Sequence, residues 1–233
     1  MNNLTCVCGT AGSGKTLVIL GLLQLALKRG VPIGACKPID VGDIEYQSQD
    51  VDSDAEQFQK WGQMSEHISQ INPYLLNETL PPQLASERDG LKVDLKLIEK
   101  NLDQLCHNYP KLLVEGPSGM LTPFLDSKNW MEVIKMWHPQ LIWMSGIGIE
   151  DLENSLLTLR VFQESGLPVK VILNDANGNQ DREMIEYQWL TLEEQIQASV
   201  LGFIPYFKKD NVLHISQALD GIFDKIWPNL EGQ

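Results

Sequence analysis

The eight residues Gly9-Thr-Ala-Gly-Ser-Gly-Lys15-Thr16 constrain the fold of this chain more than any other feature. They follow the apolar run Leu4–Cys8 and open the apolar helical pattern Thr16–Lys28. A G-x-x-x-x-G-K-[ST] loop between a strand and a helix is built to cradle phosphate. Glycines such as Gly12 and Gly14 let consecutive backbone N–H groups, that of Ser13 included, converge on phosphate oxygens, and the helix N-terminus adds its dipole. Lys15 then faces the outer phosphates, and the Thr16 hydroxyl is an oxygen ligand for Mg²⁺. A glycine-rich turn that merely joins strand to helix has no need of Gly-Lys-Thr at its end. The expected ligand is a nucleotide with its metal.

The rest of the chain supplies the fold that such a loop needs. Short apolar strand candidates recur at Leu4–Cys8, Ile33–Lys37, Lys111–Glu115, Leu141–Ser145, Lys170–Asn174 and Val200–Ile204, and Pro32, Pro110, Pro139 and Pro168 each precede one of them. Helical patterns fill the gaps at Thr16–Lys28, Asp54–Trp61, Leu95–Cys106, Trp130–Met136, Leu152–Ser165, Asp181–Ala198 and Ile215–Trp227. Strand–helix alternation with continuously apolar strands predicts an α/β fold with a doubly wound, mostly parallel sheet flanked by helices. At 233 residues and 43% hydrophobic, residues 1–233 form one nucleotide-binding domain in this reading. Residues 42–93 are the least regular stretch, with Asn72-Pro-Tyr and Pro81-Pro-Gln as turn signals, and are expected to cover the substrate.

Charge and cysteine usage exclude several classes. A net charge of −13 argues against nucleic acid and against anionic membrane surfaces as partners. No apolar run reaches about 18 residues and no basic-then-apolar leader opens the chain, so a cytoplasmic location is expected. Cys6, Cys8, Cys36 and Cys106 show no metal-ligand spacing; Cys6 and Cys8 share a strand face as small apolar side chains. The acidic run Asp50, Asp52, Asp54, Glu56 reads mostly as a solvated helix start.

Several strand ends are too polar to be core. Lys37 ends the second candidate, Glu115 the third and Asn174-Asp175 the fifth. In a parallel sheet these ends and the phosphate loop share one edge, where ligands of open α/β sheets bind.

The phosphate loop, then Lys37-Pro-Ile-x-x-Gly42, Ser53-Asp54-Ala55, Ile71-Asn72-Pro73-Tyr74, Leu113-Val114-Glu115-Gly116-x-x-Gly119 and Leu201-Gly202-x-Ile204-Pro205 occur in the order seen in dethiobiotin synthetases. The chain resembles that family to about Tyr206. The resemblance implies an ATP- and Mg²⁺-dependent cyclo-ligase of biotin synthesis that works as a homodimer. CO₂ adds to an amine of 7,8-diaminopelargonate, the carbamate attacks the ATP γ-phosphate, and the second amine closes a cyclic urea from the carbamic–phosphoric anhydride. Carried over by position, Lys15 and Lys37 neutralise the carbamate and the developing γ-phosphoryl charge. Thr16, Asp54 and Glu115 hold Mg²⁺, Asn174 reads the adenine edge, and Gly12, Ser13, Gly14 and Pro205 complete the nucleotide site.

The chain departs from the family pattern in three places. The loop is one residue shorter, with Ala11 where the family has Thr, and Val41 replaces a small hydroxyl residue. Gly148, Glu150 and Glu153 stand in the segment whose helix start holds the substrate carboxylate in the family. These acids either cap the helix or repel an anionic substrate. The alternative reading is a diverged nucleotide-binding ATPase of regulatory or assembly role that has lost diaminopelargonate binding.

Overall fold

The structure, a computed structural model, describes residues 3–42, 52–125, 128–178, 181–207, 212–228 and 230. In chain order the elements are β1 (Leu4–Gly9), α1 (Lys15–Lys28), β2 (Gly34–Cys36), β3 (Ile39–Val41), α2 (Asp54–Gly62), α3 (Ile68–Ile71) and β4 (Tyr74–Leu76). There follow α4 (Pro82–Arg88), α5 (Leu95–Asn108), β5 (Leu112–Glu115), β6 (Pro123–Leu125), β7 (Lys128–Asn129), α6 (Trp130–Trp137) and β8 (Gln140–Ser145). The chain continues through α7 (Ile149–Glu164), β9 (Val169–Asn174), α8 (Arg182–Ile196), β10 (Ser199–Ile204), α9 (Val212–Ala218) and α10 (Asp220–Ile226).

All six strands expected from the sequence enter one sheet of order β10-β9-β8-β1-β5-β2, and every pairing in it is parallel. Helices flank it, as the α/β alternation predicts. Five of these strands are buried along most of their length and β10 along half of it, which is why they read as apolar runs. Strand β1 lies inside the sheet, with Leu4–Val7 registered on Leu112–Glu115 and Thr5–Gly9 on Gln140–Met144. Its two cysteines, Cys6 and Cys8, are fully enclosed core residues. Parallel pairing brings Gly9, Cys36, Glu115, Ser145, Asn174 and Ile204 to a single edge.

Some elements differ from the expected ones. Ile215–Trp227 is two helices, α9 and α10, that meet at the fully buried Leu219. Gly21 on α1 explains the close approach there, because a Cβ would sit 2.8 Å from both the Ile215 and the Leu219 side chain. Helix α7 begins at Ile149 rather than Leu152, so Glu150 and Asp151 lie inside its first turn, where carboxylates favour the dipole. Within 42–93, β3 and β4 form a separate two-stranded parallel pair, with Asp40 registered on Leu75 and Val41 on Leu76. Pro81-Pro82, read as a turn, starts helix α4, because a first-turn proline gives up no helical hydrogen bond. Phe58, Ile71, Leu76 and Ala85 from this stretch are fully buried and join the main core. Residues 43–51, Asp50 among them, lie outside the described residues. The remaining acids of that run start α2: Ser53 caps the helix and Glu56 returns the bond to the Ser53 N–H at 2.7 Å. Among the described residues, no helix is long and apolar enough to cross a membrane.

Candidate functional site

The loop between β1 and α1 has the shape its sequence requires. Gly14 takes a left-handed φ of 85°, and a Cβ there would lie 2.3 Å from the Asn174 amide nitrogen, so both backbone and space demand glycine. Helix α1 starts without a side-chain cap and without an acid in its first turn. Its leading N–H groups are therefore available to an anion. The Ser13 hydroxyl is buried without a hydrogen-bond partner among the described residues, a second open polar group in the same loop.

A cavity of about 780 Å³ opens over this loop at the carboxyl edge of the sheet. Lys15 is buried at its floor, where its ammonium donates to the Gly9 and Thr10 carbonyls at 3.0 and 2.9 Å and to the Ser118 hydroxyl at 3.2 Å. Burial lowers its pKa from the ordinary lysine value, against an opposing pull from Glu115. The Thr16 hydroxyl donates to Glu115 Oε1 at 3.1 Å and lies 3.4 Å from Asp54 Oδ2. Lys37 pairs with Asp40 at 2.7 Å, with Asp54, and with Glu115 Oε1 at 3.6 Å. Burial alone would lower the Lys37 pKa, but the surrounding Glu115, Asp54 and Asp40 carboxylates raise it.

Glu115 is 4% exposed, and its Oε2 has no hydrogen-bond partner among the described residues. Burial outweighs the neighbouring ammonium groups and pushes its carboxyl up, to about 7. The set Thr16, Asp54 and Glu115 offers only oxygen donors, one of them buried and unpartnered, which suits a hard divalent cation.

Asn174 and Pro205 also line the cavity. The Asn174 amide donates to the Ser13 carbonyl at 2.9 Å, which ties the end of β9 to the phosphate loop. Asn174→Ala leaves that buried carbonyl unpaired and should cost about 1–3 kcal/mol. Thermal unfolding checks the stability loss, and nucleotide titration should show weaker affinity because the loop loses its brace.

Glu150 and Glu153 are exposed and lie away from the cavity lining, while Asp151 turns back so that its carboxylate is 3.4 Å from the Thr10 hydroxyl. Three site features were missed from sequence. The Ser118 and Asp151 contacts gave no signal, because each depends on tertiary folding across about a hundred residues or more. Asp40 did give one, its three-residue spacing from Lys37.

A phosphate loop at the edge of a parallel sheet, between the first strand and first helix, defines the P-loop NTPase class of α/β proteins. A family model described as an AAA domain matches residues 5–210, and the chain belongs to that family. The chain is similar to the ATP-dependent dethiobiotin synthetase BioD of Yersinia pestis bv. Antiqua (strain Angola), with 29% identity over 193 residues, 83% of this chain and 80% of the relative. It is 26% identical over 227 residues to the protein of the same name from Thermodesulfovibrio yellowstonii, covering 94% and 95% of the two chains. Among solved structures it resembles the MinD cell division protein of Aquifex aeolicus in fold, with a TM-score of 0.56 over 96% of each chain at 15% identity.

Proposed function

We propose that this chain is an ATP- and Mg²⁺-dependent dethiobiotin synthetase that closes a cyclic urea from 7,8-diaminopelargonate and CO₂. The observation that carries this reading is the gathering of Lys15, Lys37, Thr16, Asp54 and Glu115 above one phosphate loop. The similarity to proteins named dethiobiotin synthetase supports the choice of reaction. Thr16, Asp54 and Glu115 would hold Mg²⁺, which when bound supplies charge neutralisation at the phosphates.

Each residue has a definite task in this reading. Gly12, Ser13 and Gly14 present backbone N–H groups to the phosphates, and Lys15 leaves its loop carbonyls to face the outer ones. Lys37 stabilises the carbamate oxygen and the transferring phosphoryl group, since positioning and charge do most of the work in such transfers. Asn174 and Pro205 border the nucleoside. Residues 42–93 cover the substrate, with Thr79, Leu80, Pro81 and Pro82 of that stretch lining the cavity. The reading includes a cytoplasmic homodimer whose subunits share the substrate carboxylate site.

A second reading is favoured by Ala11 and Val41, which line the cavity as apolar groups. In it the chain is a regulatory or assembly ATPase without diamine chemistry. ATP turnover measured with and without 7,8-diaminopelargonate and bicarbonate decides between them. The expected result is turnover that depends on both, with dethiobiotin as product. Turnover indifferent to the diamine would overturn the first reading.

A further inference from the structure

Lys37 has more acidic partners than one ammonium needs. Asp40, Asp54 and Glu115 all face it. Two of them have a second task, since the Thr16 hydroxyl meets Asp54 and Glu115. Asp40 makes no such bond among the described residues. It is 9% exposed and lines the cavity, where Asp54 does not. Its Oδ1 accepts from the Val41 N–H at 3.0 Å as well as from Lys37, so strand β3 fixes where the carboxylate stands.

Catalysis redistributes these charges. Under the proposed reading, Asp54 and Glu115 turn to the metal, and Lys37 turns to the carbamate and phosphoryl oxygens. Asp40 then keeps the Val41 N–H but loses Lys37, its only ion-pair partner among the described residues. A buried charge without a partner is strongly unfavourable, so the loaded site needs a new cation at this position. The neighbouring wall, Ile39, Val41 and Leu80, is apolar and suits a hydrocarbon chain. A positive group on an otherwise apolar molecule meets both demands.

We propose that Asp40 is a specificity-determining residue that binds an ammonium group of the substrate, here one amine of a vicinal diamine. This inference rests on the dethiobiotin synthetase reading and adds to it the residue that recognises the amine.

The test is calorimetry of 7,8-diaminopelargonate binding to the full chain loaded with Mg²⁺ and a non-hydrolysable ATP analogue, with nucleotide affinity measured alongside. Asp40→Asn keeps the size and removes the charge. It should weaken diamine binding roughly 10- to 100-fold, the usual worth of a hydrogen bond to a charged group, and leave nucleotide affinity unchanged. Asp40→Glu should recover part of the loss, and a second neutral variant, Asp40→Ser, guards against a folding defect in the first. Equal diamine affinity in parent and Asp40→Asn overturns the inference while diamine-dependent turnover of the parent keeps the enzyme reading intact. Parallel loss of diamine and nucleotide affinity also overturns it, because Asp40 would then act only by positioning Lys37. A parent that binds no diamine overturns both.

Discussion

Lys15→Ala should lower nucleotide turnover by about 10²–10³-fold or more, the usual effect of deleting one charge-stabilising donor from a preorganised site. Lys15 is the cation closest to the loop that cradles the phosphates, with its ammonium on the Gly9 and Thr10 carbonyls. Lys37, which pairs with Asp40 and Asp54, has its own task at the carbamate in the proposed reading and does not replace Lys15. Stability should suffer less than activity. The ammonium is buried at a desolvation cost that lowers its pKa, so removing it relieves one penalty as it creates another. The sharpest measurement is the ATP-induced rise in melting temperature. A ligand at 100 times its Kd stabilises the native state by about 2.7 kcal/mol, and the variant should lose most of that. A variant that melts like the parent in ATP would remove Lys15 from the nucleotide site.

Glu115→Gln should separate stability from function. The folded carboxyl binds its proton more tightly than the unfolded one, because burial raises its pKa to about 7. That contribution to stability is complete below the unfolded value and is lost as pH rises through about 7. Glutamine carries no charge at any pH, so the metal-free variant should be as stable as the parent near pH 5 and relatively more stable at pH 8. Metal response should move the opposite way. In the proposed metal set this neutralises one of two carboxylates, and the Mg²⁺ concentration needed for half-maximal turnover should rise at least about tenfold. Melting curves at the two pH values and a Mg²⁺ titration read both effects. A variant with unchanged Mg²⁺ demand would take Glu115 out of the metal set.

The main sheet was legible because parallel strands covered on both faces are written as apolar runs between prolines and glycines. Strands β3 and β4 were not, since three residues carry no period. The single helix expected at the C-terminal end hid a break at Leu219, before Asp220-Gly221, where Gly21 of α1 allows a close approach that only the tertiary fold reveals. The phosphate loop could be read locally, and strand ends pointed to Lys37 and Glu115. Asp40 carried only its spacing from Lys37 as a hint, because the strand that fixes its carboxylate, β3, is too short to read. The resemblance implies that Asn174 reads the adenine edge; what had no sign in the sequence is the bond from its amide to the loop. That bond spans 161 residues and leaves no mark in any local pattern.

The place of β1 within the sheet fixes when this protein can first be complete during its own synthesis. The phosphate loop, residues 9–16, is made long before the strands that pair with β1, which end at Glu115 and Ser145. Its brace, Asn174, comes later still. Ribosomes add about 5–20 residues per second, so the loop must wait roughly 10–30 s between its emergence and the arrival of the last element that shapes it. Until β5 and then β8 are made, β1 is an apolar strand with unpaired edges, the kind of segment that chaperones shield. The earliest-made part of the site is thus among the last to work.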